Sequence, residues 1–218
     1  MPDTTRVQRA MDVVISAVGL VVLTPFALLI SVMVRFDSRG PILYRQLRIG
    51  IDRRGGFPLD PEVLSRRTAD LGGRPFTIYK FRSMRVDAES ETGPVWASPD
   101  DARVTRAGNL LRRFRLDEIP QLWNVLRGDM SIVGPRPERP LFVHQLRAEI
   151  DEYPLRHRVR PGITGLAQIS QEPDQTVDNV RDKLRYDLEY LEKRSLKLDL
   201  KIILRTVPVM IQRVRQRS

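Results

Sequence analysis

VVISAVGLVVLTPFALLISVMV (13–34) decides how the rest of this chain is read, because it runs twenty-two residues without a charge. Wound as a helix at ~1.5 Å per residue it is about 33 Å long, enough to match the hydrocarbon core of a bilayer. The stretch exceeds the apolar region of a typical signal peptide, and no small-x-small cleavage site precedes Arg35. It is therefore expected to enter a membrane. At its midpoint Thr24-Pro25 removes one amide donor and crowds the carbonyl four residues back, which predicts a helix broken or bent there. Basic residues flank both ends, Arg6 and Arg9 before it and Arg35, Arg39, Arg45 and Arg48 after it, so charge assigns no orientation to a single span. A re-entrant helix with both ends cytoplasmic and a kinked span both stay open.

Working outward, the remaining residues are hydrophilic. The 218 residues carry 37 Lys plus Arg against 27 Asp plus Glu, a net charge of +10 that favours an anionic partner. Aromatic residues make up only 6% and are scattered, so the basic-aromatic platform of single-strand binders is not visible and nucleic acid is not expected as a partner. The absence of cysteine excludes disulfides, thiolate catalysis and cysteine-held metals. His144 and His157 stand thirteen apart, outside any metal-ligand spacing.

Ser38-Arg39-Gly40-Pro41 is a turn, followed by a short strand at 42–45. Residues 50–73 are rich in Gly and charge without periodicity and read as an insertion loop. Residues 75–81 alternate as a strand ending at Arg82-Ser83-Met84, and Lys80 and Arg82 are expected on the same strand face. Residues 86–100 read as a loop, and 138–153 and 177–194 as helices. From Leu196 to Val214 a row of apolar residues at helical spacing predicts an amphipathic helix able to lie in a lipid interface or on the core.

LDEIPQLWNVLRG (116–128) places Asp117-Glu118 at or just before a helix that ends on Gly128. Arg112, Arg113 and Arg115 lie upstream, and Arg136 sits in the Gly134-Pro135-Arg136-Pro137 turn. A positive environment is expected to keep Asp117 ionised, and an ionised carboxylate among arginines can attack a phosphorus centre. The residues alone equally permit Asp117 to be a helix cap and Arg136 a surface arginine. No Walker loop, GxGxxG or Asp-x-Asp pair occurs.

IYKFRSM (78–84), TRAGNLLRRFRLDEIPQLWNVLRGDMSIVGPRP (105–137) and LRHRVRPGITGLAQIS (155–170), behind the Thr-Pro apolar helix, resemble the bacterial sugar transferases known as monotopic phosphoglycosyl transferases. The resemblance spans nearly the whole chain except 50–73. It implies an α/β, helix-rich fold: a re-entrant membrane helix within 1–40, hinged at Thr24-Pro25, and a single cytoplasmic catalytic domain over 41–218 with a C-terminal amphipathic helix at 196–214. The implied reaction is ping-pong, at the cytoplasmic face of the bacterial inner membrane. Asp117 is the implied nucleophile that takes a sugar 1-phosphate from a UDP-sugar, releases UMP, and passes the group to undecaprenyl phosphate. Glu118 is the implied second member of the pair, and Asp117 and Glu118 together the implied site of Mg²⁺. Arg112 and Arg136 match phosphate-holding residues, and Lys80, Arg82 and Gln121 join them in the implied substrate-binding set. The chain is expected among the small forms of the family, with membrane lipid as a partner and a homodimer left open. Departures fall at the long 50–73 insertion, at Leu166 and at Ser170-Gln171. A membrane-tethered basic binding module and a carboxylate-dependent phosphohydrolase are the alternatives.

Overall fold

The computed structural model describes residues 2–52, 72–90, 93, 101–171 and 177–216. Most of the expected 50–73 insertion therefore lies outside the described residues.

Helix α1 runs Pro2–Asp37 with Pro25 inside it. The expected break at Thr24-Pro25 is thus not a break of secondary structure. A single proline removes only one amide donor, the one that would reach the Val21 carbonyl, and Thr24 Oγ1 donates to the Leu20 carbonyl at 2.6 Å, a contact that bends a helix without ending it. Residues Arg6–Asp37 are long and apolar enough to cross a membrane. One face of α1 nevertheless lies on the rest of the protein from end to end. Near its start, Gln8 Nε2 donates to Asp199 at 2.5 Å, and Asp12 Oδ1 accepts from Ser131 Oγ and the Ile132 amide at 3.0 and 2.9 Å. Near its end, Ile30 and Val34 are buried with Phe81 and Leu111, and Asp37 Oδ2 accepts from the Ala107 amide at 3.2 Å. The opposite face presents Val14, Val18, Val21, Val22, Phe26, Leu29 and Val32 outward. An apolar strip of that length on an outer surface marks a site that meets lipid or another apolar partner.

Strands β1 (Leu43–Ile49) and β2 (Pro75–Phe81) pair antiparallel, with Tyr44 opposite Lys80. Helix α2 (Arg106–Arg113) begins on a Thr105 cap whose hydroxyl accepts from the Gly108 amide. Gly108 lies so close to the Ser83 backbone that a Cβ there would stand 1.9 Å from its carbonyl oxygen, which seats α2 tightly on the end of β2. A 3₁₀ turn at Leu116–Glu118 leads into α3 (Gln121–Arg127). Gly128 ends α3 at φ 86°, as the left-handed C-cap expected of it.

The buried Asn124 of α3 substitutes for a strand partner, donating to Thr77 O at 2.7 Å and accepting from the Tyr79 amide at 3.1 Å. This ties the helix after Asp117 to the strand that bears Lys80. Arg9 of α1 in turn donates to the Val125 and Leu126 carbonyls at 2.6 and 2.7 Å, capping the far end of α3. Strand β3 (Ser131–Val133) pairs parallel with β4 (Gly162–Thr164). Around them stand α4 (Pro140–Glu149), α5 (Leu166–Ser170), α6 (Val177–Lys193) and α7 (Leu196–Gln216). The expected helix at 138–153 is shorter than predicted, because the chain turns at Ile150 into a 3₁₀ stretch over Tyr153–Arg158.

The main core gathers Phe76, Ile78, Val125, Met130, Ile132, Val133, Tyr190 and Ile202. Helix α7 has two unlike faces. Ile202 is buried in the core, whereas Leu200, Leu204, Val207 and Ile211 form an exposed apolar stripe along the helix.

Candidate active site

The strand β2, the turn 114–118 and the Gly134–Pro137 segment converge on an open cleft of about 1650 Å³. Fourteen Lys and Arg side chains line it against five Asp and Glu, so its field favours an anion. Asp117 and Glu118 lie at its floor, 7% and 6% exposed. They occupy a 3₁₀ turn that precedes α3, with Arg115 just before it in the left-handed region at φ 53°, ψ 23°. A non-glycine residue in that conformation is uncommon, and here it folds the guanidinium back over the turn.

Glu118 gathers three cations. Lys80 Nζ and Arg136 Nη2 donate to its Oε1 at 3.2 and 2.8 Å, and Arg115 Nη1 donates to its Oε2 at 3.2 Å. Burial alone would raise the Glu118 carboxyl, but Arg136, Lys80 and Arg115 together hold it well below the usual carboxylate range. Glu118 in turn raises the Arg136 guanidinium. Burial lowers the Lys80 ammonium, with Glu118 opposing.

Asp117 differs from its neighbour. Among the described residues no donor lies within bonding distance of its carboxylate. Burial pushes its carboxyl up, Glu118 adds to that, and Lys80, Arg136 and Arg112 oppose it through space. The expected positive environment is present at Asp117 through Lys80, Arg136 and Arg112, but burial is the larger influence there and the cations sit on Glu118. A carboxylate that is more basic than usual and has no hydrogen bond to break is a better nucleophile.

The structure brings Lys80, Arg112, Asp117, Glu118 and Arg136 to one cleft. It disperses two other predicted residues. Arg82 lines the cleft, but its Nη2 donates to Ser38 O at 2.6 Å and Ser38 Oγ at 3.0 Å, fastening the exit of α1 to the end of β2. Gln121 is 1% exposed, does not line the cleft, and its Nε2 has no partner among the described residues.

Sequence reasoning missed the layer behind the arginines. Glu138, next to the Arg136 turn, pairs with Arg48 at 3.6 Å and with Lys183 at 3.2 Å. Burial would raise it, yet Lys183 and Arg48 bring it to about 2. Arg156 is fully enclosed by Asp187, Tyr153 and the Arg136 carbonyl, the last accepting from Nη2 at 3.0 Å. The signal available in the sequence was the crowding of Arg156, Arg158 and Arg160 before a Pro-Gly turn, but charge spacing does not say which of three arginines points inward.

The model of a family described as bacterial sugar transferase matches residues 3–213. A UDP-N-acetylgalactosamine-undecaprenyl-phosphate N-acetylgalactosaminephosphotransferase of Aeromonas hydrophila is 37% identical over 206 residues, covering 94% of this chain and 44% of that protein. A UDP-glucose:undecaprenyl-phosphate glucose-1-phosphate transferase of Klebsiella pneumoniae is 40% identical over 202 residues, 92% of this chain and 39% of that one. An exopolysaccharide production protein, PSS, of Rhizobium leguminosarum bv. phaseoli is 36% identical over 208 residues, 92% of each chain. The chain thus spans about two fifths of the length of the first two relatives and nearly all of the third. By the near-complete match of its residues to the family model, the chain belongs to the bacterial sugar transferases.

Proposed function

We propose that this protein transfers a sugar 1-phosphate from a UDP-sugar to a polyprenyl phosphate such as undecaprenyl phosphate, an initiating step of exopolysaccharide, capsule, O-antigen or glycoprotein glycan synthesis. The observation that carries the reading is a buried, donor-free Asp117 beside a Glu118 that assembles three cations in a basic cleft. Asp117 attacks the β-phosphorus of the donor, the bond to the bridging oxygen breaks, and UMP leaves with that oxygen. A phosphate oxygen of the acceptor then attacks the same phosphorus, and the bond to Asp117 breaks to restore the carboxylate. Lys80, Arg115 and Arg136, held in place by Glu118, offset the charge that develops on the phosphoryl oxygens. Arginine suits this role through its planar fork.

Mg²⁺ belongs to the same proposal. No group of three or more His, Cys, Asp or Glu side chains is clustered among the described residues, so a cage built from protein alone has no support. Asp117 and Glu118 are the carboxylates that would hold an ion arriving with the diphosphate, Glu118 sharing its oxygens with Lys80, Arg115 and Arg136. Bound there, it would add positive charge at the diphosphate.

The same proposal places the catalytic cleft at the cytoplasmic face of the inner membrane. Both ends of α1 are fastened to one body, through Gln8 and Asp12 at the start and Val34 and Asp37 at the end. A straight crossing of ~30 Å of hydrocarbon would pull those ends to opposite sides. This supports a helix that enters the membrane and leaves both ends on one face, with the α7 stripe in the interface.

The test is UMP release from a panel of UDP-sugars by the protein in membrane mimetic with Mg²⁺, with and without undecaprenyl phosphate. Sustained release that requires the lipid and one sugar supports the transferase. Sustained lipid-independent release points to hydrolysis, and no release from any donor contradicts both.

A further inference from the structure

A second, narrower groove of about 240 Å³ opens off the cleft, and apart from Arg115 and Glu118 at its mouth the catalytic account uses none of its lining. Its walls are Leu23 of α1, Phe114, Ile119 and Leu122 around the catalytic turn, Ile163 and Ile169, and Val209 and Met210 of α7. Its hydroxyls are spent on protein: Thr164 Oγ1 and Thr206 Oγ1 lie 2.8 Å apart, and Thr206 donates to the Ile202 carbonyl at 2.8 Å. The wall is therefore close to hydrocarbon in character.

Charge is confined to one end of it. Arg115, Glu118, Gln168 and Arg213 line the groove and the cleft alike, so the two join at the catalytic turn. Arg213 is set there by donating to the Gln168 carbonyl at 3.1 Å and to the Gln171 carbonyl. Gln168 Oε1 is buried at the same junction with no partner among the described residues. At the other end stands Leu23, in the middle of the apolar helix, with the exposed Val22 and Phe26 beside it and Val207 and Ile211 on α7.

We infer that this groove holds the phosphate-proximal isoprenoid units of the acceptor lipid, and that Arg115 and Arg213 receive its phosphate at the junction. The inference rests on the transferase reading and adds to it the path of the acceptor. One amphiphile matches both ends: a phosphate monoester needs the arginines, and an apolar chain too long for the groove needs an exit into lipid beside Leu23. A peptide would leave its backbone groups unpaired along this wall. Entry by this route brings the acceptor phosphate to Asp117 from the membrane side while the nucleotide donor fills the wide cleft.

The experiment substitutes Val209→Trp, which lines the groove and not the cleft, with Leu204→Trp on the exposed α7 stripe as control. KM is measured for undecaprenyl phosphate and for the UDP-sugar, together with the single-turnover burst of UMP before lipid is added. The expected result for Val209→Trp is a rise of about tenfold or more in the acceptor KM with the donor KM within about twofold, and no such split for Leu204→Trp. An unchanged acceptor KM in Val209→Trp overturns the groove while leaving the transferase reading intact. Absence of any UMP burst in the unsubstituted protein overturns that reading and the groove with it. To cover misfolding of the variant, the unsubstituted protein is photolabelled with a prenyl phosphate carrying a diazirine on its first isoprene. Labelling of segments 114–122 and 206–210 supports the groove, and labelling confined to the exposed face of α1 or α7 overturns it.

Discussion

Two buried charge clusters lie within reach of the same arginine loop, and they are built to opposite ends. Around Arg156 each charge is answered: Nε and Nη2 reach Asp187 at 2.9 and 2.8 Å, Nη1 reaches the Tyr153 hydroxyl at 2.7 Å, and Nη2 also reaches the Arg136 carbonyl. Around Asp117-Glu118 the matching is incomplete. Glu118 collects three cations while Asp117, its neighbour in the chain, has no donor among the described residues. Buried polar groups that serve stability are satisfied. A buried carboxylate left without a hydrogen bond costs stability and is retained where chemistry needs it.

The strongest attempt to break this comparison is Asp117→Asn. Turnover should fall on the order of a thousandfold or more, measured as UMP release, while the thermal midpoint stays level or rises because a buried charge without a bonded partner is removed. Arg136→Ala should come next, with activity down about a hundredfold and a smaller loss of midpoint than Arg156→Ala, because Glu118 keeps Lys80 and Arg115. Its counterpart, Arg156→Ala, should instead cost about 3–5 kcal/mol of stability in chemical denaturation, because Asp187 is left buried without its cation.

The pH dependence of stability separates the two carboxylates themselves. Glu118 has its folded pKa depressed, so its contribution is present above the unfolded value near 4.5 and is lost as pH falls below it. Asp117 has its folded pKa raised, so it opposes folding once ionised and that cost is relieved as pH falls through its folded value. Melting curves between pH 3 and 7 should therefore fall less steeply on the acid side for Glu118→Gln, and more steeply for Asp117→Asn, than for the unsubstituted protein. The smallest effect belongs to Gly128→Ala, at the end of the helix that leads away from the catalytic turn. Forcing φ 86° on alanine should cost about 1 kcal/mol in denaturation and leave activity per folded molecule unchanged.

These contrasts also mark how far the sequence could be read. The apolar 13–34 stretch, the Asp117 turn before a short helix, the Gly128 cap and the row on α7 are all visible in it, because each depends on local spacing. Pairing across the chain is not. Lys80 and Arg82 are two residues apart, yet one reaches Glu118 and the other the exit of α1, since β2 ends at Phe81 and strand alternation no longer governs Arg82. The left-handed turn at Arg115 and the inward choice of Arg156 over its neighbouring arginines are set by packing, which residue type does not report. Gln121 has the motif position of a substrate contact and is instead enclosed behind the cleft. The Thr24-Pro25 pair has the local chemistry of an interruption, whereas helix continues through it.

The central claim is that Asp117 carries the phosphosugar between donor and acceptor. The most direct measurement is mass spectrometry of the protein quenched after exposure to its UDP-sugar and Mg²⁺ without lipid. The account predicts a peptide containing Asp117 heavier by one sugar phosphate, formed with a matching release of UMP and lost when polyprenyl phosphate is added. UMP formation that is fully lipid-dependent, with no adduct on Asp117 at any quench time, would contradict it.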